Sequence, residues 1–301
     1  MGRQVIVIGT GKVAPAVAAA FAASGRETLV AGRDDARTAG AARQASEMAG
    51  RPVRSAPLAE ASFAEAALVV ECVAEDADVK RAVLTAVESW LGAEAILVTN
   101  TSSLPLDELA AAVRRPERFG GLHFLHPAHL TGVVEVVAAS TTDAATTAAL
   151  TRWVAELGKR AIEVKRPTPG FVWNRLQMAV LRECLELVEQ GIADPEAVDA
   201  AVSEGLAPRW LAAGPLATAD LGGIAVFREI ARQLYPHLSA HTEPTPLLDR
   251  AETDGGFYTW DAEDLATVER ARAQALDFAS KLPRPTRPAA EEEDLPHGRI
   301  P

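Results

Sequence analysis

Cysteine is scarce in this chain. Among its 301 residues only Cys72 and Cys184 occur, and they lie far apart and form no CxxC pair. This scarcity argues against a disulfide framework and a thiolate zinc site, and it is typical of proteins in reducing compartments. Long apolar runs are also lacking, since no span of about 18 apolar residues occurs, and a strand-like run at residues 5–8 stands where a signal peptide would carry its charged region. We therefore expect a cytoplasmic protein without a membrane partner.

Positive charge is in deficit. The chain has 30 lysines and arginines against 41 aspartates and glutamates, which gives a formal net charge of -11. Since proteins that bind nucleic acids usually carry a basic surface, we expect no nucleic-acid partner, although a local cationic pocket could still hold a small anion. What is present is an ordinary globular composition, with 48% hydrophobic and 24% charged residues, and a length that suggests about two domains.

Strand and helix signals alternate through the first half of the chain. Short apolar runs predict strands at residues 4–8, 28–31, 67–73, 95–98 and 120–125. Helical patterns separate most of them, at residues 13–23, 35–49, 79–91 and 106–113. A further pair of predicted strands, 133–137 and 161–164, flanks a predicted helix at 142–157. Continuous apolar strands that alternate with helices predict a parallel sheet covered on both faces.

A change of pattern follows residues 167–170, where the sequence Pro-Thr-Pro-Gly favours a turn. Residues 172–190 then have apolar side chains at helical spacing. Asp194 and Pro195 form a helix start, and residues 215–234 add a further helical pattern. The second half of the chain is therefore predicted to be helical.

These patterns divide the chain into three parts. Residues 1–166 are predicted to form an α/β domain and residues 167–282 a helical domain. Residues 283–301 combine several prolines with an acidic run and lack apolar periodicity, so we expect them to be a disordered tail.

A glycine-rich turn lies between the first predicted strand and the first predicted helix. Residues 9–14 read G-x-G-x-x-A, an accepted form of the dinucleotide-binding fingerprint. Its glycines permit a tight turn and a close approach of backbone to a pyrophosphate, which the helix N-terminus then faces with free N–H groups. Against the alternative of a plain glycine-rich turn, we predict that Gly9, Gly11, Lys12 and Val13 bind a dinucleotide. The predicted fold is α/β, with an N-terminal Rossmann-type doubly wound sheet followed by an all-helical C-terminal domain.

The end of the second predicted strand indicates which dinucleotide binds. NAD-dependent enzymes of this type place an acid about 20 residues beyond the glycines, where it binds the ribose 2′-hydroxyl. Here the strand ends at Gly32 and Arg33 follows. An arginine accommodates a 2′-phosphate through its planar fork of donors, so we favour NADP(H). The alternative is NAD(H), with Arg33 solvated at the surface and Asp34 or Asp35 at the ribose.

Four further segments carry a more specific pattern. They read VECVAED at 70–76 with Lys80 after it, NTSSL at 100–104, RPERFGGLHF at 115–124 with VEV at 134–136, and PGFVWNR at 169–175. In order and spacing they resemble the 3-hydroxyacyl-CoA dehydrogenase family, over about residues 4–260. The resemblance implies an oxidoreductase whose helical domain closes over a small-molecule substrate and forms a homodimer. It also implies that Glu75, Lys80 and Asn100 lie around the nicotinamide and its ribose.

The resemblance also implies four catalytic residues. His123 would be the general acid and base at the substrate hydroxyl, since imidazole titrates near neutrality, and Glu135 would pair with its other ring nitrogen. Ser102 and Asn174 would hydrogen-bond the reacting oxygen or its neighbour. Each has a plainer alternative: Ser102 and Asn174 could be helix caps, and Glu135 in an apolar strand must in any case be paired, protonated or at an exposed strand end.

Three histidines, His123, His126 and His129, recur at every third position, which could suggest metal ligands. Pro127 interrupts them, and no cysteine or evident carboxylate completes a ligand shell. We therefore expect no metal site.

Four departures from the family pattern bear on the substrate. The stretch 33–70 is too short to include the helical hairpin that contacts CoA in the family. His126 stands where the family has an asparagine, three residues after the catalytic histidine. The turn at 253–258 is shorter than in the family, and Gly32 stands where the family has an acid. The expected chemistry is thus retained while the regions that handle CoA are trimmed.

From these departures we expect an NADP(H)-dependent ketoreductase that acts at C3 of a β-keto or β-hydroxy acyl compound or acid, in biosynthesis such as polyketide tailoring. One alternative is an orthodox NAD-dependent 3-hydroxyacyl-CoA dehydrogenase. Another is a non-catalytic nucleotide-binding structural or sensor protein.

Overall fold

An eight-stranded sheet forms the centre of the first half of the chain in the computed structural model, which describes residues 4–282. The predicted disordered tail at 283–301 lies outside the described residues. The strands are β1 (Gln4–Ile8), β2 (Glu27–Gly32), β3 (Arg54–Pro57), β4 (Ala66–Glu71), β5 (Ile96–Thr99), β6 (Phe119–Phe124), β7 (Val133–Val137) and β8 (Arg160–Val164).

The topology of the sheet determines where a ligand can bind. Its order is β3-β2-β1-β4-β5-β6-β7-β8, and the first six strands in this order run parallel. β7 is antiparallel to β6, and β8 pairs parallel with β7. The direction of the chain's progress through the sheet reverses between β1 and β4. In open parallel sheets, ligands bind in the crevice at the carboxyl ends of the strands beside such a switch point.

Helices cover both faces of this sheet. They are α1 (Ala14–Ala23), α2 (Asp35–Ala49), α3 (Ala77–Glu88), α4 (Leu106–Ala110) and α5 (Ala144–Glu156). Val5 and Val7 of β1 pack in one apolar cluster with residues of α1, α2 and α5. Ile6 and Ile8 point the other way, into a second cluster with residues of α3 and α4. Because alternate residues are buried on opposite faces, the strands are continuous apolar runs, and the predicted doubly wound α/β sheet is confirmed.

The edge strand β3 differs from the rest of the sheet. It is four residues long, its first two residues are exposed and its last two are half-buried. It forms by pairing with β2, where Leu29 lies opposite Arg54. The apolar pattern of the sequence did not predict this strand, because a short edge strand does not need apolar residues on both faces.

Helices make up the rest of the described chain, as the sequence predicted. They are α6 (Trp173–Glu189), α7 (Pro195–Ala200), α8 (Ala207–Gly222), α9 (Ile224–Leu234), α10 (Pro246–Asp254) and α11 (Ala262–Lys281). Asp194 caps α7 by accepting the N–H of Ala197 at 2.8 Å, which confirms the predicted helix start. β8 ends at Val164 and α6 begins at Trp173, so the sheet and the helices meet around the predicted domain boundary near residue 166, which stays a prediction.

Gly223 divides the helical pattern that the sequence shows at 215–234. Its φ of +90° ends α8, and α9 begins at the next residue. The segments Pro195–Gly222 and Ile224–His237 meet at an angle of 98°. No single helix between residues 4 and 282 is both long and apolar enough to cross a membrane, although this bent pair together satisfies the criteria of length and composition.

Candidate active site

A cleft of about 1260 Å³ opens at the carboxyl ends of the parallel strands, beside the switch point. All of the predicted site residues line it except Lys80 and Glu135, which are buried behind its wall. Those that line it are Gly9, Gly11, Lys12, Val13, Arg33, Glu75, Asn100, Ser102, His123 and Asn174. The structure thus brings residues from both halves of the chain to one cavity, which is large enough for a dinucleotide and a small substrate.

The glycine-rich turn fits a bound pyrophosphate. Gly9 has a φ of +131°, and a Cβ there would overlap the carbonyl oxygen of Cys72 at the end of β4, so only glycine fits. Gly11 is different, because a Cβ there would meet nothing within 4 Å. The space over Gly11 is therefore open to a ligand. Helix α1 has no side-chain cap at Val13, which leaves its first N–H groups free to face an anion.

The structure explains why no acid stands at the end of β2. A Cβ at Gly32 would overlap Oγ1 of Thr38 and come within 2.9 Å of Cγ2 of Thr10. Thr38 is buried, and its hydroxyl donates to the carbonyl oxygen of Asp34 at 2.6 Å. The place for an acidic side chain at this strand end is therefore already filled.

Two arginines line this end of the cleft. Arg33 was predicted from the sequence, and Arg37, in the first turn of α2, was not. Asp34 also lines the cleft, but its Oδ1 accepts the N–H of Arg37 at 2.8 Å and so caps α2. Asp35, the other acid considered for the ribose, does not line the cleft. Arg37 lies four residues after Arg33, in the first turn of the helix that begins at this edge, and this position was the signal for it.

Glu75 is the centre of a hydrogen-bond network in the loop after β4. Its Oε1 accepts the hydroxyl of Thr101 at 2.6 Å and the N–H groups of Ser102 and Ser103 at 2.8 and 3.0 Å. Burial raises the pKa of Glu75, but these bonds and the nearby Lys80 outweigh it and lower the pKa to about 2. Ser102 also directs its hydroxyl to Glu75, at 3.3 Å, which holds the predicted serine at the wall of the cleft.

Lys80 lies behind Glu75 instead of facing the cleft. Only 1% of its side chain is exposed, and its Nζ contacts both carboxylate oxygens of the fully buried Glu71, at 2.9 and 3.1 Å. Glu71 also accepts the hydroxyl of Thr99 at 2.7 Å. Lys80 lies 3.3 Å from Glu75, so this ion-paired cluster supports the cleft wall from within. The resemblance had placed Lys80 around the nicotinamide; the geometry makes it a positioning residue.

Asn100 connects two strand ends beside the predicted catalytic histidine. Its Oδ1 accepts the N–H of Phe124 at 2.8 Å, which joins the end of β5 to the end of β6. The same carboxyl end of β6 carries His123. Asn100 therefore fixes the position of the strand from which His123 enters the cleft.

His123 and Glu135 form a buried pair across two antiparallel strands. They are direct partners in the register of β6 and β7, and Nδ1 of His123 lies 2.6 Å from Oε2 of Glu135. Oε1 of Glu135 accepts the N–H groups of Val172 and Trp173, at 2.8 and 2.9 Å, where α6 begins. Burial raises the pKa of Glu135, but the bonds from His123 and from these two N–H groups lower it overall. An ionised Glu135 binds the Nδ1–H tautomer, which leaves Nε2 for the cleft.

Phe171 holds the backbone that meets Glu135. It is buried, and its ring packs edge-on against His123 with centroids 5.7 Å apart. Its φ of +45° lies in the left-handed region, as does that of Gly170 at +75°. A bulky residue in this conformation is strained, and such strain is concentrated at functional sites. The sequence motif contained Phe171, but nothing in the pattern assigned it this positioning role.

The substrate end of the cleft includes residues that sequence reasoning missed. Asn174, in the first turn of α6, was predicted and lines it. Trp173 and Gln177 line it as well, and Nε1 of Trp173 donates to Oε1 of Gln177 at 3.1 Å. Arg272 reaches the cleft from α11, and its Nη2 donates to the carbonyl oxygen of His126 at 2.8 Å.

Among residues 4–282, His123, His126 and His129 do not belong to a compact group of potential ligand atoms. Within residues 4–282, the group of histidine and carboxylate atoms that lie within 4.8 Å of one another is Glu186, Glu189 and His241. None of these three lines the cleft. Glu186 and His241 are hydrogen-bonded at 2.8 Å, and Glu189 accepts the N–H of Leu247 at 2.6 Å. These contacts join α6 to α10 and to the segment before it.

The sequence matches models of one family along most of its length. Residues 4–167 match the model described as 3-hydroxyacyl-CoA dehydrogenase, NAD binding domain, and residues 170–259 match the one described as 3-hydroxyacyl-CoA dehydrogenase, C-terminal domain. The chain is also similar to 5-formyl-3-hydroxy-2-methylpyridine 4-carboxylate 5-dehydrogenase of Mesorhizobium japonicum. The two are 29% identical over 298 residues, which cover 94% of this chain and 96% of that protein.

Two solved structures are similar in fold. The crystal structure of 5-formyl-3-hydroxy-2-methylpyridine 4-carboxylic acid 5-dehydrogenase, described as an NAD+-dependent dismutase, gives a TM-score of 0.87 at 27% identity and covers 92% of this chain and 97% of that one. A 3-hydroxyacyl-CoA dehydrogenase of Archaeoglobus fulgidus gives a TM-score of 0.70 at 27% identity and covers 92% and 98%. The resemblance found in the sequence is confirmed. The chain belongs to the 3-hydroxyacyl-CoA dehydrogenase family and is an oxidoreductase that uses a nicotinamide dinucleotide.

Proposed function

We propose that the chain interconverts a ketone and a secondary alcohol in a small substrate, with His123 as the general acid and base. The observation that carries this proposal is the 2.6 Å contact between Nδ1 of His123 and the buried, ionised Glu135. The pair gives the cleft an imidazole of defined tautomer at the end of a rigid strand. Such a group is suited to move one proton to or from a reacting oxygen.

The proposed mechanism follows from the positions of these side chains. When bound, the nicotinamide supplies the hydride in reduction and accepts it in oxidation. His123 donates the proton from Nε2 to the carbonyl oxygen in reduction and takes it from the hydroxyl in oxidation. Glu135 stabilises the imidazolium form of His123 and prevents rotation of the ring. Ser102 and Asn174, which line the same cavity, orient the reacting oxygen.

The proposed substrate lacks CoA. Between the end of β2 and the start of β4 the chain forms only α2, β3 and a short 3-10 turn at Phe63–Glu65, with no second helix for a hairpin. The similar protein from Mesorhizobium japonicum acts, by its name, on a small pyridine carboxylate, and the crystal structure of an enzyme of the same name matches this fold with the higher TM-score, 0.87 against 0.70. We propose a β-keto or β-hydroxy compound of comparable size, reduced in a biosynthetic reaction.

The proposed cofactor is NADP(H), although the matching family model and the similar crystal structure are described with NAD. Two features support the 2′-phosphate. No side chain fits at Gly32 without moving Thr38, and Arg33 and Arg37 both line that end of the cleft. Two arginines beside a ribose suit a phosphate better than a hydroxyl, because their forks of donors bind phosphate oxygens bidentately.

A matrix of two substrates and two cofactors tests these proposals. The absorbance of the reduced nicotinamide would be followed with acetoacetyl-CoA and with a CoA-free β-keto ester, each with NADPH and with NADH. We expect comparable or faster turnover of the ester and a preference for NADPH. A strong preference for the thioester with NADH would instead identify an orthodox NAD-dependent 3-hydroxyacyl-CoA dehydrogenase. Dinucleotide binding without turnover of any β-keto compound would contradict the enzymatic proposal altogether.

We further propose that the helical part of the chain binds a second copy of itself. Leu216 and Leu221 of α8 are 85% and 81% exposed. No residue of α9 is buried, although Val226 and Ile230 are among its large apolar residues. Monomeric soluble proteins rarely expose large contiguous apolar surfaces. The homodimer that the family resemblance implies would cover them, and the scarcity of cysteine supports a cytoplasmic location for it.

A further inference from the structure

Helix α11 adds a charged side chain to the cleft from outside the region that matches the family. The match to the C-terminal family model ends at residue 259, and α11 spans Ala262–Lys281. Its Arg272 nevertheless lines the cleft, and its Nη2 donates to the carbonyl oxygen of His126 at 2.8 Å. Since His126 follows His123 by three residues, this contact places the guanidinium of Arg272 near the proposed catalytic histidine, in the part of the cleft that Trp173 also lines.

Most of the charged side chains that line the cleft are cationic, although the protein as a whole is acidic. Its charged lining residues are the cations Lys12, Arg33, Arg37 and Arg272 and the acids Asp34 and Glu75. Both acids are already engaged, since Asp34 caps α2 and Glu75 accepts the N–H and hydroxyl groups of the loop after β5. The chain as a whole has a net charge of -11. An excess of cations in a cleft of an acidic protein concentrates anionic ligands there.

Three of these four cationic side chains lie where a bound dinucleotide is expected, and the fourth, Arg272, does not. Lys12 follows the pyrophosphate-binding glycines, and Arg33 and Arg37 lie at the end of β2, where the ribose 2′ position is expected. Arg272 lies at the opposite end, with the proposed acid and base. None of the ion pairs found within residues 4–282 includes Arg272. One of its five N–H donors is bonded to His126, and the geometry of the others suits a carboxylate.

We propose that Arg272 binds a carboxylate of the substrate, so that the site selects small keto and hydroxy acids over their neutral esters. The proposal rests on the proposed function, because it names the substrate class of the same cleft. The bond to His126 orients the guanidinium, and the remaining donors of its fork then hold the carboxylate while Nε2 of His123 addresses the reacting oxygen. Selection by a charged contact of this kind exceeds what apolar contacts with a small substrate could give.

Binding to the oxidised enzyme complex tests the proposal without turnover. The protein would be saturated with oxidised dinucleotide, which cannot reduce a ketone, and titrated by calorimetry with acetoacetate and with methyl acetoacetate. We expect acetoacetate to bind about ten-fold or more tightly, since a hydrogen bond to a charged group contributes about that factor. Arg272→Gln should remove the preference, and Arg272→Lys should restore part of it, because it keeps the charge and loses the fork.

Arg270→Gln is the matched control. Arg270 lies on the same helix, is exposed, and its Nη2 donates to Oγ1 of Thr267 at 3.0 Å, away from the cleft. This variant should keep the preference for the acid. Equal binding of acid and ester to the unmodified protein, or the same preference in Arg272→Gln as in Arg270→Gln, would overturn the proposal. If Arg272 had only a structural role, Arg272→Gln would weaken the binding of both ligands equally.

A third ligand and a turnover assay separate the remaining outcomes. Acetoacetyl-CoA carries phosphates that Arg272 could bind instead of a carboxylate. If the protein binds acetoacetyl-CoA more tightly than acetoacetate, and Arg272→Gln removes that affinity, then Arg272 binds a phosphate of CoA and the proposal is overturned. Turnover with reduced dinucleotide would be scored apart. Arg272-dependent binding of acetoacetate without any hydride transfer would support the carboxylate site and contradict the proposed function. Turnover of the acid and the ester at the same kcat/KM would support the proposed function and contradict the carboxylate site.

Discussion

Glu135 is the residue on which the proposed chemistry depends most. One of its oxygens holds His123 at 2.6 Å, and the other accepts two backbone N–H groups where α6 begins. Both oxygens are therefore satisfied, so full burial of this carboxylate is not penalised by an unpaired charge. The same arrangement sets the tautomer of His123 and its position in the cleft.

Removing either member of this pair should abolish most activity while dinucleotide binding survives. We expect His123→Ala to lower kcat about 10²–10⁴-fold, because it removes the proton donor. Glu135→Gln should cause a loss of similar size, because an amide cannot stabilise the imidazolium. The measurements are steady-state turnover and a titration with dinucleotide. Glu163→Gln, at an exposed carboxylate of β8, is the control. Turnover retained in both variants would contradict the mechanism.

Glu75 should contribute a part of the stability that disappears in acid. Its pKa is lowered from 4.5 to about 2 in the folded chain, so the ionised carboxylate stabilises the folded state relative to the unfolded one. That contribution is fully present above the unfolded pKa and is lost as the pH falls from about 4.5 to about 2. The free energy of unfolding of Glu75→Gln should therefore lie below that of the unmodified protein at pH 7, and the difference should shrink in acid. A constant difference between pH 7 and pH 3 would contradict this account.

The site residues differ in how far the sequence could predict them. His123 and Glu135 lie 12 residues apart on two adjacent strands, and a specific motif contains both. Arg272 makes its contact across 146 residues, from a helix beyond the family match, so no local pattern indicates it. Lys80 was recognised within its motif, but its burial against Glu71 is a tertiary property that the motif does not contain.

At the scale of elements, the turn between β1 and α1 combines two glycines with different physical roles. Gly9 is required by the fold, because of its φ of +131° and its contact with the end of β4. Gly11 has open space on the side where a Cβ would point. Gly9 is therefore needed for the backbone to fold, and Gly11 leaves space for a ligand.

Alanine substitutions should separate these roles. We expect Gly9→Ala to lower the free energy of unfolding by about 1–3 kcal/mol even without dinucleotide, because the backbone is strained and the methyl group overlaps Cys72. Gly11→Ala should leave the stability of the ligand-free protein almost unchanged and weaken dinucleotide binding about ten-fold or more. Denaturant unfolding with and without dinucleotide measures both effects. Equal loss of stability in the two variants would refute the distinction.

The sequence predicted elements best where burial is greatest. β1, β2 and β4 to β6 are buried on both faces and appeared as continuous apolar runs. The boundaries of several elements differ: α3, for example, was predicted at 79–91 and spans Ala77–Glu88, because Asp76 caps it by accepting the N–H groups of Asp78 and Val79. β3, at the edge, was missed because its strand character comes from pairing with β2.

At the scale of the whole molecule, the apolar residues exposed on α8 and α9 predict self-association. Val226→Asp combined with Ile230→Asp should convert a dimer to a monomer, since two desolvated charges would face the partner copy. Light scattering after size-exclusion chromatography measures the mass. Gln233→Asp, which adds one charge to the same helix, is the control and should stay dimeric. A monomeric unmodified protein would disprove the proposed dimer.

The crowding at Gly32 makes the effect of a substitution there depend on a neighbouring residue. An aspartate at that position, as in NAD-dependent relatives of this type, would have to displace the hydroxyl of Thr38, which is buried and bonded to the backbone of Asp34. The effect of the substitution therefore depends on what already occupies position 38. We therefore expect an aspartate at position 32 to be tolerated better together with a smaller residue at position 38 than alone, so the two substitutions should be epistatic.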